Sequence, residues 1–188
     1  MRLFAERGYQ GTTVGAIEEA AGLTPRAGGL YRHFRSKREV LDAALERHVS
    51  EISTMGGVMD LLPLGDLRSE LTLLVRWLLV ELEREREVVR VIEREGSDVP
   101  AFRDRFRDEV VEVGFREAAE FTRRHLKETD LDYDPDVLAV TAVGTIVNFR
   151  RHEWTFGSPP MGLEEDHFAT VLVDLLVKII QGQREEQT

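Results

Sequence analysis

Between positions 31 and 38 the chain places Tyr31, Arg32, His33, Arg35, Lys37 and Arg38. A phenol, an imidazole and several cations so close together can grip phosphates on both sides of a groove, because each group donates hydrogen bonds to phosphate oxygens. Taken alone, the same cluster reads equally as a solvated basic face. Glu164-x-x-His167 has the spacing used in di-iron helical bundles. Such a site needs a second copy and two further helix carboxylates, so no metal is expected. Arg76 sits amid apolar residues, either as a counter-ion for an acidic ligand or, with Ser69, Thr72 and Glu83, on a polar face. His48, His125 and His167 read as surface or satisfied residues. There is no cysteine, which removes thiolate zinc sites, cysteine nucleophiles and disulfides and suits a reducing cytoplasm. No nucleophile and base are paired and no glycine loop is built for phosphate, so neither an enzyme nor a cofactor is expected.

Charge at first argues against nucleic acid, since the 188 residues sum to -10. Its distribution says otherwise. Residues 1–50 carry 8 Lys/Arg against 6 Asp/Glu, a balance of +2, while residues 51–188 carry 17 against 29, a balance of -12. Two tasks sharing one chain would produce this asymmetry. The most apolar segment, 169–180, is 12 residues long and contains Asp174 and Lys178. It is too short and too charged to span a bilayer, so a soluble cytoplasmic protein with no membrane partner is expected.

These groups must be positioned by helices, for apolar residues recur at spacings of three and four throughout and no strand-like alternation is sustained. The fold class expected is all-α. Leu3, Phe4 and Tyr9 belong to a short helix ended by Gly8 and Gly11. Thr12 or Thr13 caps a second helix, stopped by Gly22, and Thr24-Pro25 opens a third. Ser36 with Glu39 forms a capping box for a long fourth. After a break at Gly56, Gly57, Pro63 and Gly65, helices are expected over 67–86, 88–95, 100–127, from the Asp134-Pro135 cap to about 154, and over 163–181. The boundary placed before that break gives domains 1–47 and 48–188. A helix capped at Thr12 or Thr13, a Gly22 turn and a helix from Thr24 have the layout of a helix-turn-helix, whose second helix lies in the major groove of DNA.

The ordered landmarks Leu3-Phe4, Gly8-Tyr9, Gly11-Thr12-Thr13-Val14, Ile17, Ala20-Ala21-Gly22, Leu30-Tyr31, His33-Phe34 and Ser36-Lys37 make residues 3–45 resemble the DNA-binding domain of the TetR family of bacterial transcriptional regulators. The resemblance implies a homodimeric repressor that holds a palindromic double-stranded operator and is released by a small-molecule effector. It implies phosphate contacts from Thr13, Tyr31, His33 and Lys37. Thr24 and Gly29 would also face DNA. Arg26 is the first candidate to read a guanine, by bidentate pairing, and Arg32 the second. Between Gly22 and Leu30 the chain has seven residues, LTPRAGG, a longer run than the family pattern. Gly28 and Gly29 there either allow close backbone approach to DNA or mark a poorly helical segment. The family usually has a further turn or two of helix, often with a basic arm, ahead of Leu3-Phe4, which would make Met1 an internal or late start.

By analogy with the family, the effector pocket lies among the central helices, and Trp77, Phe102, Phe106, Phe121 and Phe149 are the aromatic candidates to line it. The last helix carries two apolar stripes, one of Phe168, Val171, Leu172, Leu175, Leu176 and Ile179, the other of Ala169, Val173, Val177 and Ile180. Two stripes suggest burial against both the chain's own domain and a partner. With the small Ala139, Ala142, Gly144 and Thr145 of the preceding helix, they predict a four-helix interface made by the last two helices of each subunit. A second reading keeps the N-terminal unit as a packing module of a helical small-molecule binder or carboxylate metalloenzyme that does not bind DNA.

Overall fold

A computed structural model of the chain describes residues 1–25, 27–51, 55–126 and 133–182. Among them are helices α1 (Arg2–Gly11), α2 (Val14–Ala20), α3 (Lys37–Glu51), α4 (Met55–Met59), α5 (Leu67–Glu95), α6 (Pro100–Phe106), α7 (Glu112–Leu126), α8 (Pro135–Phe156) and α9 (Glu165–Gln181). The described residues contain no strand, as the periodicity requires. They pack as two compact units, Met1–Ile52 with Glu85–Val110, and Ser53–Arg84 with Val111–Thr188.

The first unit has its own core, in which Phe4, Leu41, Leu45, Val88, Val91 and Phe102 are buried together. Helix α1 is broken internally at Gly8, whose φ of 70° and ψ of 172° are not helical. The Arg94 guanidinium donates to the Glu6 carbonyl at 3.1 Å, and the Glu95 carboxylate accepts from the Tyr9 N–H at 3.0 Å. The last turn of α5 therefore clamps α1 around its kink. The cap at Ser36 forms: its Oγ accepts from the Glu39 N–H at 3.1 Å. Glu39 completes the box one residue further back than expected, accepting from the Arg35 N–H at 2.5 Å.

In the second unit Leu71, Val75, Leu79, Phe149, Val173 and Val177 are among the buried core residues. Asp134 caps α8 as expected, accepting from the Asp136 and Val137 N–H groups at 2.9 and 3.3 Å. Arg150 is buried. It donates to the Leu79 carbonyl at 3.1 Å and pairs with Glu153 and Glu165 at 3.0 and 2.7 Å, so its charge is compensated.

Three expectations about helices need correction. The segments 67–86 and 88–95 are one helix, α5, because the charged run between them contains no glycine or proline and supports itself by pairs such as Arg84–Glu81 at 3.1 Å. The expected helix over 100–127 is divided by a π turn at Arg107–Val111. Its end at Lys127 lies outside the described residues. No regular helix opens at Thr24-Pro25: the described residues from 23 to 29 are turns and bends, and one 3₁₀ turn, Leu30–Arg32, follows. Pro25 cannot donate a backbone hydrogen bond and Gly28 sits at φ 73°, outside helical geometry.

Candidate nucleic-acid interface and ligand cavity

The candidate interface begins with two adjacent threonines that take different roles. Thr12 is fully buried, and its hydroxyl lies 2.7 Å from the Gly8 carbonyl, joining the end of α1 to its kink. Thr13 is the exposed cap of α2, its Oγ1 accepting from the Ala16 N–H at 3.2 Å. Gly22 at φ 71° then reverses the chain, so that the Leu23 N–H reaches the Glu18 carbonyl at 2.8 Å. The Glu18 side chain, fully buried, accepts from the Leu30 N–H at 3.2 Å. One residue thus ties both ends of the LTPRAGG segment to α2.

That tie anchors buried Leu30 and turns the next residues outward. Tyr31 is 57% exposed, and Arg32 and His33 are exposed beside it. Thr24 is exposed and Gly29 half-buried at the start of the 3₁₀ turn. Arg26 lies outside the described residues. Lys37 behaves differently. Its Nζ donates to the Tyr9 and Thr12 carbonyls at 2.6 and 2.9 Å and lies 4.2 Å from the Tyr9 ring centroid. Two of its three N–H groups hold the end of α1 against the start of α3. Arg38 is likewise occupied, by Asp42 at 2.9 Å and by the Asp98 carbonyl. Of the basic cluster, Arg32 and Arg35 are the exposed cations.

The two glycines separate by backbone geometry, which gives a direct test. A Cβ on Gly28 would meet no atom within 4 Å, but its φ is 73°. Gly28→Ala is expected to cost about 1–2 kcal/mol. At Gly29 the φ is -58° and a Cβ would stand 3.5 Å from Leu23 Cδ1, an ordinary contact. Gly29→Ala should leave the thermal midpoint unchanged or raise it, and the two melting curves decide.

The five aromatic candidates for a pocket are not brought together. Phe102 and Phe106 pack in the core of the first unit, their rings 6.0 Å apart. Trp77, Phe121 and Phe149 belong to the second. Phe149 stacks on Phe168 at 4.1 Å, and Phe121 lines a cavity of about 50 Å³. Aromatic residues thus contribute to both cores, and Phe121 also to a cavity wall. Arg76 pairs with Asp166 at 2.7 Å on a polar face. His48 is satisfied by Glu85 at 2.7 Å, His125 by Glu70 at 3.1 Å, and His167 is exposed. No group of three or more His, Asp or Glu residues suited to a metal occurs among the described residues.

In the second unit the Glu117 carboxyl is shifted upward. Burial pushes its pKa up, the nearby Asp60 charge adds to this, and Arg116 opposes it. Its Oε2 is enclosed without a hydrogen-bond partner among the described residues. The folded chain therefore holds this proton more strongly than the unfolded chain, and stability falls as pH rises above the ordinary glutamate range. Glu117→Gln is expected to raise the melting midpoint at pH 7, with the gap closing below about pH 4.

Sequence reasoning passed over Glu18, Glu95 and Arg94. The available signal for Glu18 was its place four residues after Val14 and beside Ile17, on the inward side of a short helix.

Residues 1–44 match the family described as bacterial regulatory proteins, tetR family. The chain is 30% identical over 97 residues to YvkB of Bacillus subtilis, an uncharacterized HTH-type transcriptional regulator, and 44% identical over 50 residues to the HTH-type transcriptional repressor KstR2 of Rhodococcus jostii. These matches cover 52% and 27% of this chain and 48% and 24% of those proteins. The chain thus spans half or less of the curated relatives it matches. Its fold is that of AibR, solved in complex with isovaleryl coenzyme A and operator DNA, with a TM-score of 0.64 at 19% identity over 93% of this chain and 91% of that one. No helix among the described residues is long and apolar enough to cross a membrane. The landmark residues, the turn clamped by Glu18 and the all-helical frame agree with these matches: the N-terminal segment is similar to the TetR family of bacterial regulatory proteins, and the chain as a whole shares its fold with AibR.

Proposed function

We propose that the chain is a ligand-responsive transcriptional repressor that binds a palindromic operator as a homodimer and is released by a small molecule. The observation that carries this reading is the outward presentation of Tyr31, Arg32 and His33 immediately after a turn fixed by buried Glu18, within the segment that matches the family. Thr13, Tyr31, His33 and the remaining N–H of Lys37 contact phosphates, which set register. Thr24 and Gly29 bring backbone close to DNA, and Arg26 and Arg32 are the candidate base readers. The relatives are transcriptional regulators rather than enzymes.

Dimerisation is assigned to α8 and α9. Val137 and Val140 of α8 are 62% and 54% exposed, and Val171 and Leu175 of α9 are 42% and 51% exposed. Ala169, Leu172, Val173, Leu176, Val177 and Ile180 face the chain's own core. The two stripes read from the sequence are divided differently in space, but an unpartnered apolar side remains, as a partner helix pair would require. Helix α5 contributes residues to both units. It lines the cavity with Leu71, Leu74 and Leu78, and at its other end Arg94 and Glu95 hold α1.

Selection of bound DNA from a random pool tests the proposal. The expected result is a palindrome with half-sites about 10 bp apart or a multiple of that, and an unpaired or absent consensus overturns it. On the selected site, Lys37→Ala is expected to weaken binding to every sequence and to lower the salt slope by about one. Because its ammonium also joins α1 to α3, the same substitution should lower the melting midpoint. Tyr31→Phe, which removes only an exposed hydroxyl, should weaken binding and leave the midpoint unchanged.

A further inference from the structure

We infer that the effector is an aliphatic molecule with an uncharged polar head, its alkyl chain in the apolar cavity of the second unit and its head in the groove one helical turn away. This rests on the ligand-responsive reading above and names the chemistry of the ligand. The cavity, about 50 Å³, is walled by Leu71, Leu74 and Leu78 of α5, Phe121 of α7, Ile146 of α8 and Leu176 of α9. The hydroxyl on its wall, Thr122, already donates to the Ala118 carbonyl at 2.9 Å. A polar group placed here would lose water and gain little in return, a cost of roughly 1–3 kcal/mol, and a charge would cost more. Hydrocarbon has no such penalty. Since an apolar cavity of about 150 Å³ takes a benzene-sized ligand, the present one suits two or three carbons of a chain better than a ring.

The groove is larger, about 920 Å³, and its walls include Leu67, Arg68 and Glu70 of α5, His125 of α7 and Ile180 of α9. It follows the same three helices as the cavity. Leu67 and Leu71, Phe121 and His125, and Leu176 and Ile180 are each four residues apart, so each pair shares a helix face. Phe121 lines the cavity and His125 the groove, and their ring centroids are 4.3 Å apart, so the two spaces are neighbours. The groove therefore offers polar contacts one helical turn from the apolar cavity. Its charge selects the head. Arg68 is paired with Asp174, and His125 with Glu70 at 3.1 Å. Asp66 adds a further carboxylate to the wall. A carboxylate or phosphate head would meet this acidic surround with the guanidinium already engaged, whereas a hydroxyl or amide can exchange hydrogen bonds without that repulsion.

The test titrates the purified full chain with straight and branched alkanols of two to six carbons, with sodium alkanoates of matched chain, and with benzyl alcohol, reading the thermal midpoint and operator release in parallel. Expected are saturable rises in midpoint with alkanols, apparent affinities at least tenfold weaker for the alkanoates, and release of operator by the alkanols that bind. Ala142→Leu and Val143→Leu, each of which fills the cavity, should abolish the alkanol rise while keeping a cooperative melting transition, and Thr122→Val should retain it. Equal binding of alkanoates, or unchanged binding by both filled variants, overturns the assignment. A chain that holds its operator but shows no saturable alkanol rise overturns the ligand class while the regulator reading stands. Alkanol binding that never releases operator overturns the effector role and leaves the cavity as a binding site.

Discussion

Replacing Gly8 by alanine is expected to lower stability by roughly 3 kcal/mol and to abolish operator binding at concentrations where the wild-type chain is saturated. Two effects combine. The backbone at Gly8, φ 70° and ψ 172°, lies in a region that side chains essentially do not adopt, at a cost of about 1–3 kcal/mol. A Cβ there would also stand 2.8 Å from Glu95 Oε1 and 3.0 Å from an Arg94 guanidinium nitrogen. Both are ends of flexible side chains and could move. Moving Glu95, however, releases the Tyr9 N–H it accepts at 3.0 Å, a charged hydrogen bond of about 1.5–3 kcal/mol. The kink in α1 would relax and the clamp from α5 would open. Thermal melting gives the first effect and fluorescence anisotropy on the selected operator the second. Glu95→Gln keeps an acceptor for Tyr9 without adding a Cβ at residue 8, so it should fold normally and lose far less affinity. If Gly8→Ala melts and binds like wild type, the clamp has no role in holding α1.

The second large effect is expected from Val171→Glu combined with Leu175→Glu. Both side chains are exposed within the described chain, so the substitutions leave its core untouched and the chain should stay helical. Their exposure is that of a surface awaiting a partner, and two carboxylates facing their symmetry copies would desolvate and repel each other. The chain is then expected to sediment as a monomer. Because a dimer holds its second half-site at high effective concentration, operator affinity should fall by about 10²–10⁴-fold while weak binding to any DNA persists. A doubly substituted chain that remains dimeric would place the interface elsewhere.

Much of the arrangement could be read in advance, for local reasons. Ser36 with Glu39, and Asp134 with Pro135, announce helix starts because capping is decided within four residues. Apolar periodicity showed the all-α class because each helix buries one side, whatever it packs against. Contacts that need a partner element were not legible. Phe102 and Phe106 have the same composition signal as Phe121, yet they fill the first unit's core, since a ring in the sequence does not reveal which helices surround it. Lys37 looked like a free phosphate donor among its basic neighbours. Its ammonium also meets carbonyls 25 and 28 residues away, a closure no local pattern encodes.

The sequence by itself determined the family likeness of the N-terminal segment, the helical class, the position of the turn at Gly22 and the separation of a mildly basic N-terminal segment from an acidic remainder. Each follows from residue types at short spacing. Only the tertiary structure decided that Glu18 is the buried tie of the turn, that Arg94 and Glu95 grip α1 at Gly8, and that an apolar cavity and a polar groove follow the same three helices. Those features arise where residues distant in sequence meet, and there the loss of water decides which polar groups must find partners and which walls stay apolar.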